Sequence, residues 1–295
     1  MSIVRLRSGE LEAAFDPAAG LVGCSLTHRG EELLAQRKGL DEYRRSGATF
    51  GIPFLHPWAN RLADFSYGVG GQEVELQRDS PLLRLEEHGL PNHGLRPDAL
   101  DWEVVSDDPL CARVDPGADP DRLAAFPFPH RLEMEISLDD HALTVATTLV
   151  PTGAVGVPLA FGFHPYLCVP GAPRAEWEVE LPIEERLVVD ENLIPTGERE
   201  PAEFRRGTLG DRSLDTGYPM PERARPFIVS AAGRSLGVEF LEGYTYAQVF
   251  APAGQDLICF EPMTAPADAL RSHEDLRLAA PGEAFSAAFR ITVDG

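Results

Sequence analysis

The chain has 295 residues, of which 43% are hydrophobic, so it can bury a large core in one β domain or two ordinary domains. Its formal net charge of −21 disfavours nucleic acid and anionic membranes as partners, because both are bound through clusters of lysine and arginine. No apolar run is long enough to span a bilayer, and the first residues lack the basic-then-apolar pattern of a secretory signal, so we expect a soluble, cytoplasmic protein.

The first part of the chain has the pattern of short strands separated by turns. Strand-like runs cover Ile3 to Leu6, Leu11 to Phe15 and Leu21 to Thr27. Farther along, Phe65 to Leu76 carries Gly70 and Gly71 at its centre, which is typical of a tight hairpin. The opening segments therefore favour β structure.

The clearest alternation of apolar and polar residues lies in the middle of the chain. Apolar residues recur at every second position from Leu132 to Leu138, and after Asp139 and Asp140 the same alternation continues from Leu143 to Leu149 with only Thr147 polar. This pattern predicts a long antiparallel hairpin with one buried face. No segment shows a sustained helical period. We therefore predict an all-β fold, a large antiparallel β-sandwich of two sheets in a single domain over residues 1–295, with further strands at Glu176 to Ile183, Ser235 to Leu241, Tyr246 to Ala251, Leu257 to Glu261 and Ala284 to Val293.

His164 is a candidate acid. It lies within Phe161-Gly-Phe-His-Pro-Tyr166, where aromatic neighbours and a proline would fix the imidazole. An imidazole held in this way can present a proton to a small polar ring. The alternative interpretation is a histidine that is simply hydrogen-bonded in the core.

Glu261 is the candidate base that would work with this acid. It follows an apolar run in Cys259-Phe-Glu261-Pro-Met263, and we expect it at a strand end just before a strand-ending proline. The two residues could then face one another across a pocket. A surface carboxylate at a strand end is the alternative interpretation of Glu261.

Four other polar residues are candidates for binding a ligand. Asn60 offers an amide and Arg61 a guanidinium group with five N–H donors, both on a proline-rich segment. The glycine after His93 would let that ring approach a ligand. Each of the four also has an ordinary structural interpretation: a surface arginine with a backbone-bonded asparagine, a loop histidine and, for Asp215, a turn former.

Other kinds of chemistry find little support in the sequence. His88, His93 and His164 with Glu261 lack the spacing of a local ligand pair, so we expect no metal site. The four cysteines are scattered without a Cys-x-x-Cys pair, so we expect buried free thiols. No nucleophile elbow and no glycine-rich phosphate loop opening a helix is present.

Six short segments, taken together, resemble the aldose 1-epimerase (galactose mutarotase) family. They occur in the family's order between about residue 50 and residue 265. The segments are Pro53-Phe-Leu-His-Pro-Trp-Ala-Asn-Arg-Leu62, Asn92-His-Gly-Leu95, Phe163-His-Pro-Tyr-Leu167, Asp190-Glu-Asn-Leu-Ile-Pro-Thr-Gly197, Leu214-Asp215 and Phe260-Glu-Pro-Met263.

The resemblance implies a large β-sandwich with a sugar, a hexose such as galactose or glucose, in an open cleft on one sheet. It implies Glu261 as general base and His164 as general acid in the interconversion of α and β anomers. It also implies that Asn60, Arg61, His93 and Asp215 hold the sugar, and that no cofactor or metal is needed. At ordinary pKa values the glutamate would be ionised and the histidine partly protonated at neutral pH. Trp58, Phe163 and Tyr166 could stack on the sugar.

Three alternatives remain open from the sequence. A hexose-6-phosphate 1-epimerase would need a local arginine pair, such as Arg61 with Arg96, for the phosphate. A non-catalytic sugar-binding sandwich would keep the cleft without the activity. A glycoside hydrolase would need a second well-placed carboxylate besides Glu261.

Overall fold

A computed structural model describes residues 3–96, 98, 100–222 and 225–295. Strands dominate these residues, and the all-β prediction is confirmed. In chain order the strands are β1 Val4–Ser8, β2 Leu11–Asp16, β3 Val22–His28, β4 Glu31–Glu32, β5 Phe54–Leu55, β6 Ser66–Val69, β7 Gln72–Glu75, β8 Leu83–Leu85, β9 Pro91–Leu95, β10 Glu103–Asp107, β11 Leu110–Val114, β12 His130–Leu138, β13 Ala142–Pro151, β14 Val157–Leu159, β15 Gly162–Phe163, β16 Tyr166–Leu167, β17 Glu178–Glu180, β18 Glu185–Val189, β19 Pro195–Pro201, β20 Arg206–Thr208, β21 Leu214–Pro219, β22 Phe227–Ala231, β23 Arg234–Glu242, β24 Tyr246–Ala251, β25 Ile258–Met263, β26 Arg277–Ala279 and β27 Phe285–Asp294.

A nine-stranded sheet forms one layer, in the order β10-β11-β12-β13-β27-β23-β22-β17-β20. Its third and fourth strands form the hairpin predicted from the alternating pattern. The two strands β12 and β13 pair antiparallel from His130 opposite Pro151 to Leu138 opposite Leu143. Leu132, Ile136 and their apolar neighbours are buried along one face, because every second side chain points to the same side of a strand.

A second large sheet has the order β21-β24-β25-β15-β5, and β16 also pairs with β25. Aromatic rings join this sheet to the nine-stranded one. Phe163 lies 5.0 Å from Phe289 between ring centroids, and Phe260 lies 5.3 Å from Phe227. The two sheets therefore pack face to face around a shared aromatic core, as the sandwich prediction requires.

Helices are few and short among the described residues: α1 Gly39–Ser46, α2 Pro120–Ala125 and α3 Ala269–Ser272. The longest, α1, has acidic residues in its first turn and basic residues in its last, which suits the helix dipole. The polar segment Glu32 to Gly47 predicts a loop or a weak helix, and α1 forms within it. The other two helices are too short to give a readable 3.6-residue period, and the sequence pattern did not predict them. No helix in the described part of the chain has the length and hydrophobicity needed to cross a membrane.

Two sequence predictions about strand position are wrong. Glu261 lies inside β25 and not at its end, because the strand continues through Pro262 to Met263, which pairs with Tyr246 and with Gly162. The proline removes one donor, but the flanking residues keep the register. Asp215, which composition placed in a turn, lies in β21 opposite Phe250.

Candidate active site

A cleft of about 360 Å³ opens on the face of the six-stranded sheet that points away from the core. The sequence candidates for acid, base and ligand binding all line it: His164, Glu261, Asn60, Arg61, His93 and Asp215. Seven further residues complete the lining: Arg37, Glu86, Glu87, Asn92, Tyr166, Gln248 and Phe250. Residues separated by more than 200 positions in the chain thus meet at one place.

Strand alternation explains why the polar residues collect on this face. In β25 the ring of Phe260 points into the core, so the next residue, Glu261, points into the cleft. Gln248 on β24 lies directly opposite Glu261 and shares its face. One strand therefore supplies a core residue and a site residue at adjacent positions.

The candidate acid and base are in direct contact. Nε2 of His164 lies 3.2 Å from Oε1 of Glu261, and both side chains are almost fully buried. The same nitrogen lies 3.3 Å from the hydroxyl of Tyr166, whose ring is stacked on the imidazole at 4.2 Å. The sequence led us to expect the two groups facing one another across a pocket; they are instead neighbours on one wall.

Burial moves the pKa values of this pair away from those expected for exposed side chains. Burial, with Asp215 as a further cause, raises the pKa of Glu261 well above its ordinary value. Burial, with Arg37 and Arg84 as further causes, lowers the pKa of His164 well below its ordinary value. A buried carboxylate and a buried imidazolium are both costly, so burial favours the neutral pair, in which the two groups share one proton and Glu261 carries it.

His93 is fixed as a neutral hydrogen-bond donor. The backbone N–H of Asn60 donates to its Nδ1 at 3.3 Å, so the ring proton resides on Nε2. Burial lowers the pKa of His93 well below its ordinary value, which keeps the ring uncharged. We expected Gly94 to let the His93 ring approach a ligand, but its role is different. A Cβ at Gly94 would overlap the backbone carbonyl of His56, so this glycine permits close packing of two chain segments.

Arg61 lies in a network of polar side chains. Its Nη1 donates to Oδ1 of Asn60 at 3.1 Å, and its Nη2 lies 3.6 Å from Asp215. Asp215 in turn accepts a hydrogen bond from Nε2 of Gln248 at 2.5 Å. On the other side, Nε of Arg61 lies 3.6 Å from Glu86, so the guanidinium is held between two carboxylates. The fork is oriented before any ligand binds.

Sequence reasoning missed several residues of the cleft. Gln248 could have been found from its register opposite Glu261, whereas Arg37 and Glu86 lie in loops that carry no recognisable signal. Of the three aromatics expected to stack on a ligand, Trp58 and Phe163 are buried in the core. Tyr166 does line the cleft, but its ring faces are covered by His164 and Arg37. Phe250 is a further aromatic residue of the lining.

No group of three or more His, Cys, Asp or Glu side chains within residues 3–96, 98, 100–222 and 225–295 is arranged to hold a metal ion. All four cysteines are free thiols, as predicted, but only Cys259 is fully buried and the other three are half-buried. Burial raises the pKa of Cys259, which lies in β25 opposite Tyr166 and Phe250 of the cleft lining, well above its ordinary value, so it is unsuited to act as a thiolate.

Comparison with known proteins agrees with this architecture. The chain is 24% identical to the Escherichia coli K12 protein YihR over 306 aligned positions, covering 98% of this chain and 89% of that protein. The crystal structure of a galactose mutarotase-like protein from Clostridium acetobutylicum superposes with a TM-score of 0.83 at 17% identity, covering 99% of this chain and 94% of the other. The Slr1438 protein of Synechocystis superposes with a TM-score of 0.80 at 22% identity, covering 99% and 96%.

These structural likenesses, at low identity, establish a common sandwich fold. The family follows from the sequence match, since the model of the family described as Aldose 1-epimerase covers residues 19–292. The chain therefore belongs to the aldose 1-epimerase family, whose activity is that of an isomerase acting on sugars.

Proposed function

We propose that this protein interconverts the α and β anomers of an unphosphorylated hexose such as galactose or glucose. The observation that carries the proposal is the 3.2 Å contact between His164 and Glu261 inside a polar cleft. In a cyclic hemiacetal, the hydroxyl oxygen and the ring oxygen are both bonded to C1. An acid and a base that serve two such adjacent oxygens must themselves be neighbours.

The proposed reaction starts from the tautomer of the pair in which the shared proton lies on His164: the carboxylate of Glu261 takes the proton from the C1 hydroxyl while the imidazolium of His164 gives one to the ring oxygen. The bond between C1 and the ring oxygen breaks, and an open-chain aldehyde forms. Rotation about the bond between C1 and C2 presents the other face of the carbonyl. Ring closure then returns both protons to where they began.

The single proton held by the pair suits this cycle. Ring opening moves the protonated state from His164 to Glu261, and ring closure moves it back, so the pair gains and loses nothing overall. The raised pKa of Glu261 and the lowered pKa of His164 favour the proton on Glu261 at rest, so ring opening draws on the less populated tautomer, whose imidazolium is a strong proton donor.

The remaining polar residues would hold the hydroxyl groups of the sugar. Nε2–H of His93 and the oriented fork of Arg61 are donors, and Asp215 is an acceptor. Oδ1 of Asn60 already accepts from Arg61, which leaves the amide NH₂ of Asn60 to donate. The partner proposed for this cleft is therefore a neutral small molecule rich in hydroxyl groups.

A phosphorylated hexose receives less support. The arginine pair considered for it is not available, because Arg96 is engaged with Asp98 and is not part of the cleft lining. Three carboxylates besides Glu261 line the cleft and would repel a phosphate: Glu86, Glu87 and Asp215.

The proposal is tested by following the optical rotation of freshly dissolved α-glucose and α-galactose. The parent protein should speed the approach to equilibrium, and E261Q and H164N should each lose about 10²- to 10⁴-fold of that acceleration. E135Q, which changes an exposed carboxylate on β12, is the matched control and should keep the parent rate. Sugar binding with no acceleration by the parent would support a non-catalytic sandwich and refute the proposal.

A further inference from the structure

A layered arrangement of three side chains stands behind the candidate acid. Tyr166 stacks on the imidazole of His164 with 4.2 Å between ring centroids and 10° between planes. The guanidinium carbon of Arg37 lies over the same tyrosine ring, 4.6 Å from its centroid. Two groups that close to one ring centre cannot share a face, so Arg37 and His164 cover opposite faces of Tyr166.

The backbone fixes Arg37 in this position. The segment before it is joined to β16 by a hydrogen bond from the N–H of Ala35 to the carbonyl of Tyr166, 2.8 Å long. Arg37 itself has a left-handed φ of 46°, which is uncommon outside glycine and turns the side chain toward the cleft wall. Nη1 of Arg37 donates to the carbonyl of Thr49 at 2.9 Å. The hydroxyl of Thr49 lies 2.6 Å from that of Tyr166, so Thr49 is hydrogen-bonded to both Arg37 and Tyr166.

We propose that Arg37 is a positioning residue of the reaction: through Tyr166 it fixes the plane of the His164 imidazole, and its positive charge promotes proton release from that ring. The inference deepens the proposed function and rests on it. Arg37 would act without touching the acid, because the tyrosine ring lies between them.

The charges around His164 support this role. Among the described residues no carboxylate lies within 4.0 Å of the guanidinium of Arg37 or of Arg84, so their charges are not neutralised locally. Arg61, by contrast, lies between Asp215 and Glu86. Positive charge without a local counterion disfavours a further positive charge on the imidazole, in the same direction as burial. The titratable and charged groups that bear on His164 are Glu261, Tyr166, His93, Arg37 and Arg84.

Surface packing alone does not account for Arg37. Its side chain is exposed, and stacking of an exposed arginine on an aromatic ring occurs elsewhere in this chain. Arg212 lies 4.7 Å from the centroid of Phe204 and donates Nη1 to the carbonyl of Thr208 at 2.9 Å, almost the same geometry away from the cleft. What distinguishes Arg37 is that its aromatic partner is itself stacked on the candidate acid.

The test compares R37Q, R37K and the matched control R212Q. The rate of mutarotation of α-glucose is measured against pH, and kcat/KM should follow a bell, because the His164–Glu261 pair is active only with one proton. Loss of a nearby positive charge favours protonation of the pair, so both limbs of the bell should move to higher pH in R37Q. A shift on the order of 0.5 to 1 pH unit is expected for one partly screened charge beyond a single ring layer. R37K keeps the charge and should restore most of the parent profile, and R212Q should match the parent.

A second readout does not need activity. The C2–H resonance of His164, assigned by its absence in H164N, is titrated by NMR in the parent, R37Q and R212Q. It should titrate at higher pH in R37Q only. An unmoved resonance and an unmoved pH profile in R37Q would overturn the inference, and a raised KM alone would make Arg37 a sugar ligand instead. If the parent fails to speed mutarotation but the resonance still moves in R37Q, the proposed function is refuted, whereas the influence of Arg37 on His164 is supported.

Discussion

The contact between His164 and Glu261 predicts how the two losses of activity combine when both residues are replaced. The perturbation is the set E261Q, H164N and the double variant. Positioned acids and bases each contribute about 10²- to 10⁴-fold, which corresponds to about 3 to 5.5 kcal/mol of transition-state stabilisation. Two groups acting independently would lose the product, about 10⁴- to 10⁸-fold.

The structure leads to a different expectation. The pair lies at 3.2 Å and holds one proton, so each transfer depends on the other group being in the complementary state. Removing either residue disables the exchange, and little remains for the second change to remove. The double variant should therefore lose about as much as the poorer single variant, to within about tenfold.

The assay is polarimetry of α-glucose at neutral pH with the spontaneous rate subtracted, on variants whose thermal unfolding matches the parent. E135Q is carried through the same series as the control for a neutral amide on a strand. A double variant that loses the full product of the single losses would show that the two groups work independently and refute the one-proton pair.

Three further predictions concern binding and stability. R61A should raise KM for glucose about tenfold or more with a smaller change in kcat, because one oriented, charge-assisted donor is lost; unchanged KM would remove Arg61 from the site. G94A should lower the free energy of urea unfolding by at least about 2 kcal/mol, because a residue with left-handed φ gains a Cβ that overlaps the backbone carbonyl of His56. The control G89A also has a left-handed φ but has open space around the new Cβ, so it should lower the free energy of unfolding by only about 1 kcal/mol. Equal losses in the two variants would contradict the packing argument. Burial lowers the pKa of His56 and of His130, whose Nε2 atoms lie 2.9 Å apart, so both rings bind protons more strongly in the unfolded chain than in the folded one. The free energy of unfolding should therefore fall by about 1 kcal/mol or more per pH unit as the pH drops below about 6.5. A urea midpoint that does not change between about pH 7 and 5.5 would contradict this.

The sequence predicts the parts of this fold that are coded locally. The hairpin of β12 and β13 is visible because its apolar residues alternate over two long strands. The hairpin at Gly70 and Gly71 is visible because both residues need left-handed φ values, 59° and 80°, which glycine adopts without strain. Patterns of this kind depend only on neighbours in the chain.

The chemistry of the cleft is harder to predict because it depends on contacts across sheets. Arg37 and Glu86 carry no local signal, and they become part of the site only when the loop before α1 and the loop after β8 meet the same cleft. The protonation of Glu261 was misjudged for the same reason, since burial sets its pKa and burial is not visible in a short motif. Pro262 misled the strand prediction because proline was taken as a strand end, whereas its neighbours keep pairing on both sides.

Burying Glu261 has a cost that the rest of the fold must cover. Its Oε2 has no hydrogen-bond partner among the described residues, and the carboxyl is nearly inaccessible, so the site holds a destabilising group in the middle of a sheet. The adjacent Phe260 and its stacking partner Phe227 offset that cost on the other face of the same strand. F260A should therefore cost about 3 to 5 kcal/mol of unfolding free energy, whereas E261Q should leave stability nearly unchanged while activity collapses. In β25 one residue packs in the core and the next one lines the cleft. Neighbouring positions of the same strand therefore contribute separately to stability and to catalysis. This explains how a sandwich can keep a buried acid–base pair without losing its fold.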